Sequence, residues 1–514
     1  MHLLKLNSQL NTCLNFCIFI CMLLFIGCGE KDNNNTNIDA TIPTNNSWSI
    51  NTILELPKAQ TVPAHITFTH SDSELFIAYY DNNPLYDIDL QDVNPYCYRV
   101  RYKSFNLSDV SRLSDSNATT ETVALIMDEA DSFGPISMAL SGSTPMLAYG
   151  VSESSVIVEG FDTGNQGDVI IALRDGTDNW RKEIGALGFN ERNGPFVNGL
   201  ARSNISLKGD DNGNALLSFQ FFYEGVDGDN YGYPDLVFIN QPIDNFADSN
   251  NVNQFNELEE KVEESIFTLP TGVQIRAGDF CEMVVKHDGS PVIFHHTNNL
   301  NVGPAGRIGL RMSMKVDDEW QSEWLHENIN ITQISAAVKS NGLLAIVYTV
   351  KDFVDYDYSQ TPGDPEIIPY SLRYAEQVEV ITDTDDNGED IIETEWRDEI
   401  VDYVSISGRY CSLAIDSEDN PVVAFYDEMN FSRTRFFSRI KISKRTSGGV
   451  WTSETIVPED VGLTIKTSPY DITPGTHNYY YIGKYNYLWL DRNDLINICS
   501  YSSISNKLYH FQQR

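Results

Sequence analysis

Tyr410 to Asp427 reads YCSLAIDSEDNPVVAFYD: an apolar run, a turn of Asp, Ser, Glu, Asp, Asn and Pro, then a second apolar run ending in Phe, Tyr and Asp. Two β-rich runs joined by such turn residues read as an antiparallel hairpin. The phrase recurs as ITFTHSDSELFIAYYD from Ile66, ISMALSGSTPMLAYG from Ile136, ISLKGDDNGNALLSF from Ile205 and CEMVVKHDGSPVIFH from Cys281. It continues as ISAAVKSNGLLAIVY from Ile334 and YLWLDRNDLINICSY from Tyr487. Aligned on the residue that is Ala in the clearest copies, the second runs give Ala78, Ala148, Ser218, Phe294, Val347, Ala424 and Ile498. Seven copies roughly 50 to 80 residues apart make a repeat array rather than a set of unrelated domains.

Each copy is followed by a third β-rich run, for example YRVRYKSF from Tyr98, LVFIN from Leu236 and FFSRIKIS from Phe436. A fourth is marked by Trp with an aliphatic a few residues later: Trp180 with Ile184, Trp320 with Leu325, Trp396 with Ile400 and Trp451 with Ile456. Seven units of four strands, with no helix-period segment long enough for a domain, specify an all-β fold: a seven-bladed β-propeller of four-stranded antiparallel blades. The last unit has no fourth strand after Phe511, whereas Ser47 to Leu54 carries the Trp signature ahead of the first unit. The ring is expected to close by this N-terminal strand completing the last blade, which leaves no long edge unpaired.

The copy at Tyr410 to Asp427, with Trp451 on an outer strand, resembles the repeats of bacterial sialidase-like propeller lipoproteins, in which an Asn-Pro turn leads into an apolar strand ending in Tyr-Asp. The resemblance covers most of residues 47 to 514 and is most specific in the sixth unit. It implies the fold and a non-catalytic member, because the sialidase Phe-Arg-Ile-Pro signature is absent. The Asp-box of that family survives only as Arg174-Asp175-Gly176 before Trp180.

Ahead of the array, Lys5, the apolar run Leu14 to Phe25 and Ile26-Gly27-Cys28-Gly29 resemble the secretory signal and lipobox of bacterial lipoproteins. About a dozen apolar residues are too few to span a bilayer as a mature helix. The expected organisation is a signal peptide over 1–27, a flexible Asn- and Thr-rich tether over 28–46 and the propeller over 47–514. Cys28 would carry the lipid, and Gly29 resembles the sorting pattern for the outer membrane. Of the cysteines in the body, Cys97, Cys281, Cys411 and Cys499 have no metal-ligand spacing, which leaves buried thiols and disulfides both open.

The chain of 514 residues holds 73 Asp or Glu against 35 Lys or Arg, a formal charge of −38. This excludes a nucleic-acid binder, because phosphate is held by basic patches. Such a body would be repelled by anionic lipid, so membrane attachment rests on the acyl chains of Cys28. With 41% hydrophobic residues the chain has ample material for a core, and a monomer is expected.

Three acidic, Tyr-rich loops between second and third strands mark one face as the candidate ligand surface. The first offers Tyr79, Tyr80, Asp81, Tyr86 and Asp87, the second Asp227, Asp229 and Tyr231, and the third Asp355, Tyr356, Asp357 and Tyr358. Rings that stack on sugars beside carboxylates that bond hydroxyls suit a glycan; solvated loops of an acidic protein are the plainer alternative. On the opposite face Asp383, Asp385, Asn387 and Glu389 resemble the start of a calcium loop, with Gly388 at the sixth position and Thr394 in place of the closing Glu; a solvated turn is the alternative. The adjacent His295 and His296 end a strand and point to opposite faces, which suits packing better than shared ligation. The expected function is an envelope-anchored binding module, without catalysis, for a glycan or an envelope or extracellular protein. The alternatives are a sialidase-like glycosidase or polysaccharide lyase on the same fold, and an envelope assembly scaffold.

Overall fold

The computed structural model describes residues 48–55, 66–81, 97–107, 113, 115–127, 136–150, 156–158, 169–186, 205–210, 212–223, 233–242, 259–263, 266–268, 273–299, 308–327, 329–351, 370–384, 390–404, 410–432, 435–456, 482–502 and 507–514. These form seven antiparallel sheets, one for each repeat and named blade 1 to blade 7 in the order of their inner strands. The inner strands are Ile66–His70, Ile136–Ser141, Ile205–Gly209, Val273–Val285, Asn330–Val338, Ser412–Ile415 and Ile482–Leu490. Each lies against the next around a ring, and the last returns to the first. The chain is a seven-bladed β-propeller. Blades 1 and 4 each gain a short fifth strand, Val156–Val158 and Ile266–Thr268.

The ring closes as expected from the ends of the chain. Trp48–Glu55 pairs antiparallel with Lys507–Gln513 and completes blade 7 as its outer strand. One register differs. Cys499, opposite Tyr487, occupies the place that Ala424, opposite Ser412, holds in blade 6, so the seventh copy aligns on Cys499 and not on Ile498. The turns agree, since Asp416 and Asp491 each accept backbone N–H bonds from the residues two and four further on.

The core is divided among the seams between blades. Among the described residues seven apolar clusters are present, and each joins two successive blades. A sheet buried on both faces needs apolar side chains on both alternations, which is why the second strands read as continuous apolar runs. Near the axis, the Oγ of Ser137, Ser206, Ser335 and Ser412 on an inner strand accepts the backbone N–H of Leu207, Met283, Leu413 and Leu488 on the next blade, at 3.0 to 3.1 Å. Inner strands approach so closely that a Cβ on Gly209 would sit 2.1 Å from the Leu140 carbonyl oxygen.

Further out, the Trp signature proves to be a seam device. Trp180, Trp320 and Trp451 meet Tyr102, Phe238 and Tyr374 of the preceding blade edge to face, at 5.0, 5.1 and 5.5 Å between centroids. Such pairs add about 0.5–1.5 kcal/mol to the area they bury. The Nε1–H of Trp180 and of Trp320 donates at 2.8 Å to Glu121 and Glu260, which also pair with Arg174 and Lys315. Cys281, Cys411 and Cys499 are thiols, not joined in disulfides, and are buried in these seams. Burial pushes the Cys411 thiol up to about 12.

Trp48, Ile53 and Leu54 lie buried in the seams on either side of blade 7. At about 2 kcal/mol for each such side chain, deleting residues 47 to 58 is expected to cost several kcal/mol and to lower the single thermal transition of the whole body. An unchanged melting temperature would show that the N-terminal strand does not close the ring.

Candidate functional site

Second-strand ends and third-strand starts meet on the face that carries the three acidic loops. Of the residues expected to bind there, Tyr79 and Tyr80 are buried in the seam clusters on either side of blade 1. The Tyr80 hydroxyl donates to the Gly150 carbonyl at 3.1 Å. Asp81 ends the second strand of blade 1, opposite Arg99. Tyr86, Asp87, Asp227, Asp229, Tyr231, Asp355, Tyr356, Asp357 and Tyr358 lie outside the described residues. On the other face Asp383 is exposed at the end of a strand, and Asp385, Asn387 and Glu389 lie outside the described residues. No group of His, Cys, Asp or Glu suited to a metal occurs among the described residues.

What the fold does assemble is a set of cations in register: Arg101, opposite Tyr79 in blade 1, and a row across three successive blades. Arg311 stands opposite His295, Arg373 opposite Tyr348 and Lys441 opposite Phe425, at the same level of blades 4, 5 and 6. In blades 4 and 6 the cation reaches back to a carboxylate on the outer strand of the preceding blade. Arg311 pairs with Glu263, and Lys441 Nζ lies 2.6 Å from Asp402. Glu263 and Asp402 are equivalent: each pairs across its sheet with a Leu of the third strand, Leu236 and Leu372. These are seam ion pairs, the polar continuation of the apolar seams.

The seam between blades 4 and 5 departs from this pattern. The residue equivalent to Glu263 and Asp402 is the one opposite Leu310, and it is His326. Arg373 takes its carboxylate from its own blade instead: Asp398 Oδ2 accepts from Arg373 Nε at 2.9 Å and from Nη2, while Oδ1 accepts from the Tyr348 hydroxyl at 2.8 Å. His326 Nε2 is 3.7 Å from Asp398 Oδ2, beyond hydrogen-bond reach, and its ring lies 5.7 Å from that of Tyr348. Burial lowers the pKa of His326; the attraction of Asp398 opposes this and the Arg373 guanidinium adds to it. The pKa values of Arg373 and Tyr348 are both raised, the first by its bond to Asp398 and the second by burial. At neutral pH the cluster therefore holds an uncharged imidazole, a guanidinium and a carboxylate. With 31% and 30% of their side chains exposed, His326 and Arg373 are open to a ligand.

The other described histidines are less suited to chemistry. His295 is fully buried; its Nε2 lies 3.0 Å from Ser313 Oγ and 3.2 Å from Glu263 Oε2. Serine and carboxylate address the same ring nitrogen, so this is no relay, since a relay needs one partner on each nitrogen. His296 is buried beside Phe280, as packing of the His pair requires. Trp489 stacks between His70 and His510 at 5.4 Å from each, across the seam from blade 7 to blade 1. His287 lies 3.0 Å from the Lys339 carbonyl on the opposite face, in contact range of the neighbouring hairpin turn.

His326, Tyr348, Arg373 and Asp398 belong to no motif of the sequence. One signal was available. In the outer strands an aliphatic is followed by an acid in Val262-Glu263 and Val401-Asp402, and by His in Leu325-His326.

No protein-family model matches the sequence, and no curated protein matches it. Among solved structures, the chain is similar to the polysaccharide lyase Uly1 at 12% identity, covering 90% of this chain and 92% of that one with a TM-score of 0.41. It is similar to an α-L-arabinanase of Penicillium chrysogenum complexed with arabinobiose at 12% identity, covering 73% and 93% with a TM-score of 0.36. It is also similar to the Trypanosoma rangeli sialidase in complex with sialic acid at 10% identity, covering 90% and 58% with a TM-score of 0.35. At these identities the likeness is one of fold and carries over no substrate and no catalytic residue. These neighbours are enzymes, a lyase and two glycoside hydrolases, and the expectation of a binding module without catalysis is corrected accordingly.

Three buried histidines make the fold acid-sensitive. Burial lowers the pKa of His70 and His296 from 6.5 to about 4 and that of His510 to about 3. Below pH 6.5 the unfolded chain binds protons that the folded chain refuses, so stability falls with pH until the folded values are reached. The loss is up to about 1.4 kcal/mol per histidine for each pH unit. Melting temperature is expected to be level above pH 7 and to drop between pH 6.5 and 4.5, before most carboxylates titrate. A flat profile across that window would show that these rings take up protons in place.

Proposed function

We propose that the protein is a glycan-cleaving enzyme of the lyase or glycosidase class, acting on a polysaccharide that carries carboxylates. The observation that supports this is the uncharged, partly exposed His326, at a position that other blades fill with an acid or an apolar residue, beside a guanidinium held in place by Asp398. At the equivalent position the other blades carry an acid, Glu263 or Asp402, or an apolar residue, Ala124, Ala186, Ile456 or Leu54, so a titratable base is peculiar to blade 4.

The chemistry follows from the charges. Arg373 would neutralise the carboxylate of an acidic sugar, which makes the hydrogen on the adjacent carbon more acidic. His326 Nε2, an imidazole base with no hydrogen-bonded carboxylate, would take that proton. Electrons of the C–H bond form a C=C bond, the glycosidic C–O bond breaks, and the leaving oxygen takes up a proton. Tyr348 and Asp398 act as positioning residues, since the hydroxyl and the guanidinium occupy both carboxylate oxygens. That occupation favours elimination over hydrolysis, which needs two free carboxyl groups flanking the bond. In this reading the N-terminal signal and Cys28 tether the enzyme to the cell envelope, where extracellular polysaccharide is accessible.

The test is an assay of the purified protein against uronate-containing polysaccharides, following both new reducing ends and the ultraviolet absorbance of unsaturated sugar ends. Both are expected to grow together. His326→Ala should lower the rate by about 10²- to 10⁴-fold with an unchanged melting temperature. The rate should stay level above neutral pH and fall with acid as His326 gains its proton. Reducing ends without absorbance would assign a hydrolase, and full activity in His326→Ala would remove the site.

A further inference from the structure

Blade 5 is longer than its neighbours on the face away from the acidic loops. Its third and outer strands, Tyr370–Thr384 and Asp390–Val404, have 15 residues each, against 11 and 6 in blade 6. The second strand of the blade accompanies them only as far as Ala345, opposite Glu376. From Val378 outward the two strands pair only with each other, among the described residues. At about 3.3 Å per residue this ribbon projects roughly 20 Å beyond the blade.

A two-stranded ribbon has one unpaired backbone edge on each strand, a template for another strand. Its side chains are those of a strand awaiting cover. Ile381 and Ile392 lie directly opposite each other and are 64% and 58% exposed, and Ile391 beside them is 41% exposed. Most large aliphatics of the described residues are buried in seams; Val316, Ile400 and Val450 are also exposed, but Ile381, Ile391 and Ile392 are set together on paired strands. Around it, Glu379, Asp383, Asp390, Glu393 and Glu395 are exposed or at the surface, and Gln377 to Trp396 contains no Lys or Arg. Edge-to-edge pairing with a second copy would set like charges opposite each other, which opposes it. An anionic lipid surface is repelled for the same reason.

We infer that this ribbon is a docking element for an extended basic segment of a partner protein, in which Lys or Arg alternates with β-branched residues. The segment adds as a strand to one ribbon edge, where backbone bonds supply affinity and the alternation supplies specificity. Its aliphatics cover Ile381 and Ile392, and its cations meet the flanking carboxylates. This role is independent of the His326 cluster.

The probe is a fluorescent nine-residue peptide of alternating Lys and Val, compared by anisotropy with a peptide of equal charge in which two central Val are Pro. The full chain is expected to bind the alternating peptide at least about tenfold more tightly, because Pro cannot donate to a strand ladder. The double variant Ile381→Ser, Ile392→Ser should lose that preference with its melting temperature unchanged, both side chains being exposed. Absence of binding, equal binding of the two peptides, or full preference in the double variant would each overturn the inference. A concentration-dependent dimer of the chain that the double variant abolishes would overturn it in favour of a second copy as occupant.

Discussion

A blade of this propeller has two apolar faces and no interior, so it can be stable only when both faces are covered by other blades. That constraint governs the rest of the structure. It puts the core into seven seams and makes the ring's closure a condition for every one of them. Near the axis the seams are too narrow for large side chains, and serine hydroxyls tie neighbouring backbones together. Further out the blades splay and indole rings fill the wedge. The N-terminal strand matters because without it blade 7 would lack its outer strand and two seams would lose Trp48, Ile53 and Leu54.

The candidate site is a variation on the same seams. In the seams between blades 3 and 4 and between blades 5 and 6 the filling changes toward the loop-bearing face from apolar to charged, with a cation of one blade answering a carboxylate of the blade before it. His326 stands where those two seams have a carboxylate, and Asp398 supplies the negative charge from within blade 5. The result is a charge-balanced cluster with an uncharged base in it. Rigid strands hold all four groups, and such support suits chemistry that depends on fixed distances.

Architecture was legible in the residues because it is periodic. The hairpin at Tyr410 to Asp427, the Trp positions and the misplaced strand at Trp48 each repeat or complete a pattern, and pattern is what a single sequence displays. The seventh register slipped by one residue because its turn holds Leu495 where blade 6 has Asn420, which blurs the point where the second strand begins. His326 was harder to see. It is visible as a departure only once Leu236, Leu310 and Leu372 have been matched across sheets, and that match depends on pairing partners far apart in the chain. The Tyr residues that looked like ligand contacts were misleading at Tyr79 and Tyr80, because a strand with both faces in seams buries aromatic rings whose spacing resembles that of an exposed loop.

If the seams make the ring one cooperative unit, a defect in any of them is shared by all. Ser206→Ala removes the acceptor of the Met283 amide between blades 3 and 4, at a cost of about 1–3 kcal/mol for a buried donor left unmade. Native-state hydrogen exchange of this variant tests the point. The slowest amides of all seven blades are predicted to lose protection by one common factor of roughly ten to a hundred. Loss confined to blades 3 and 4, with the other five unchanged, would contradict the account.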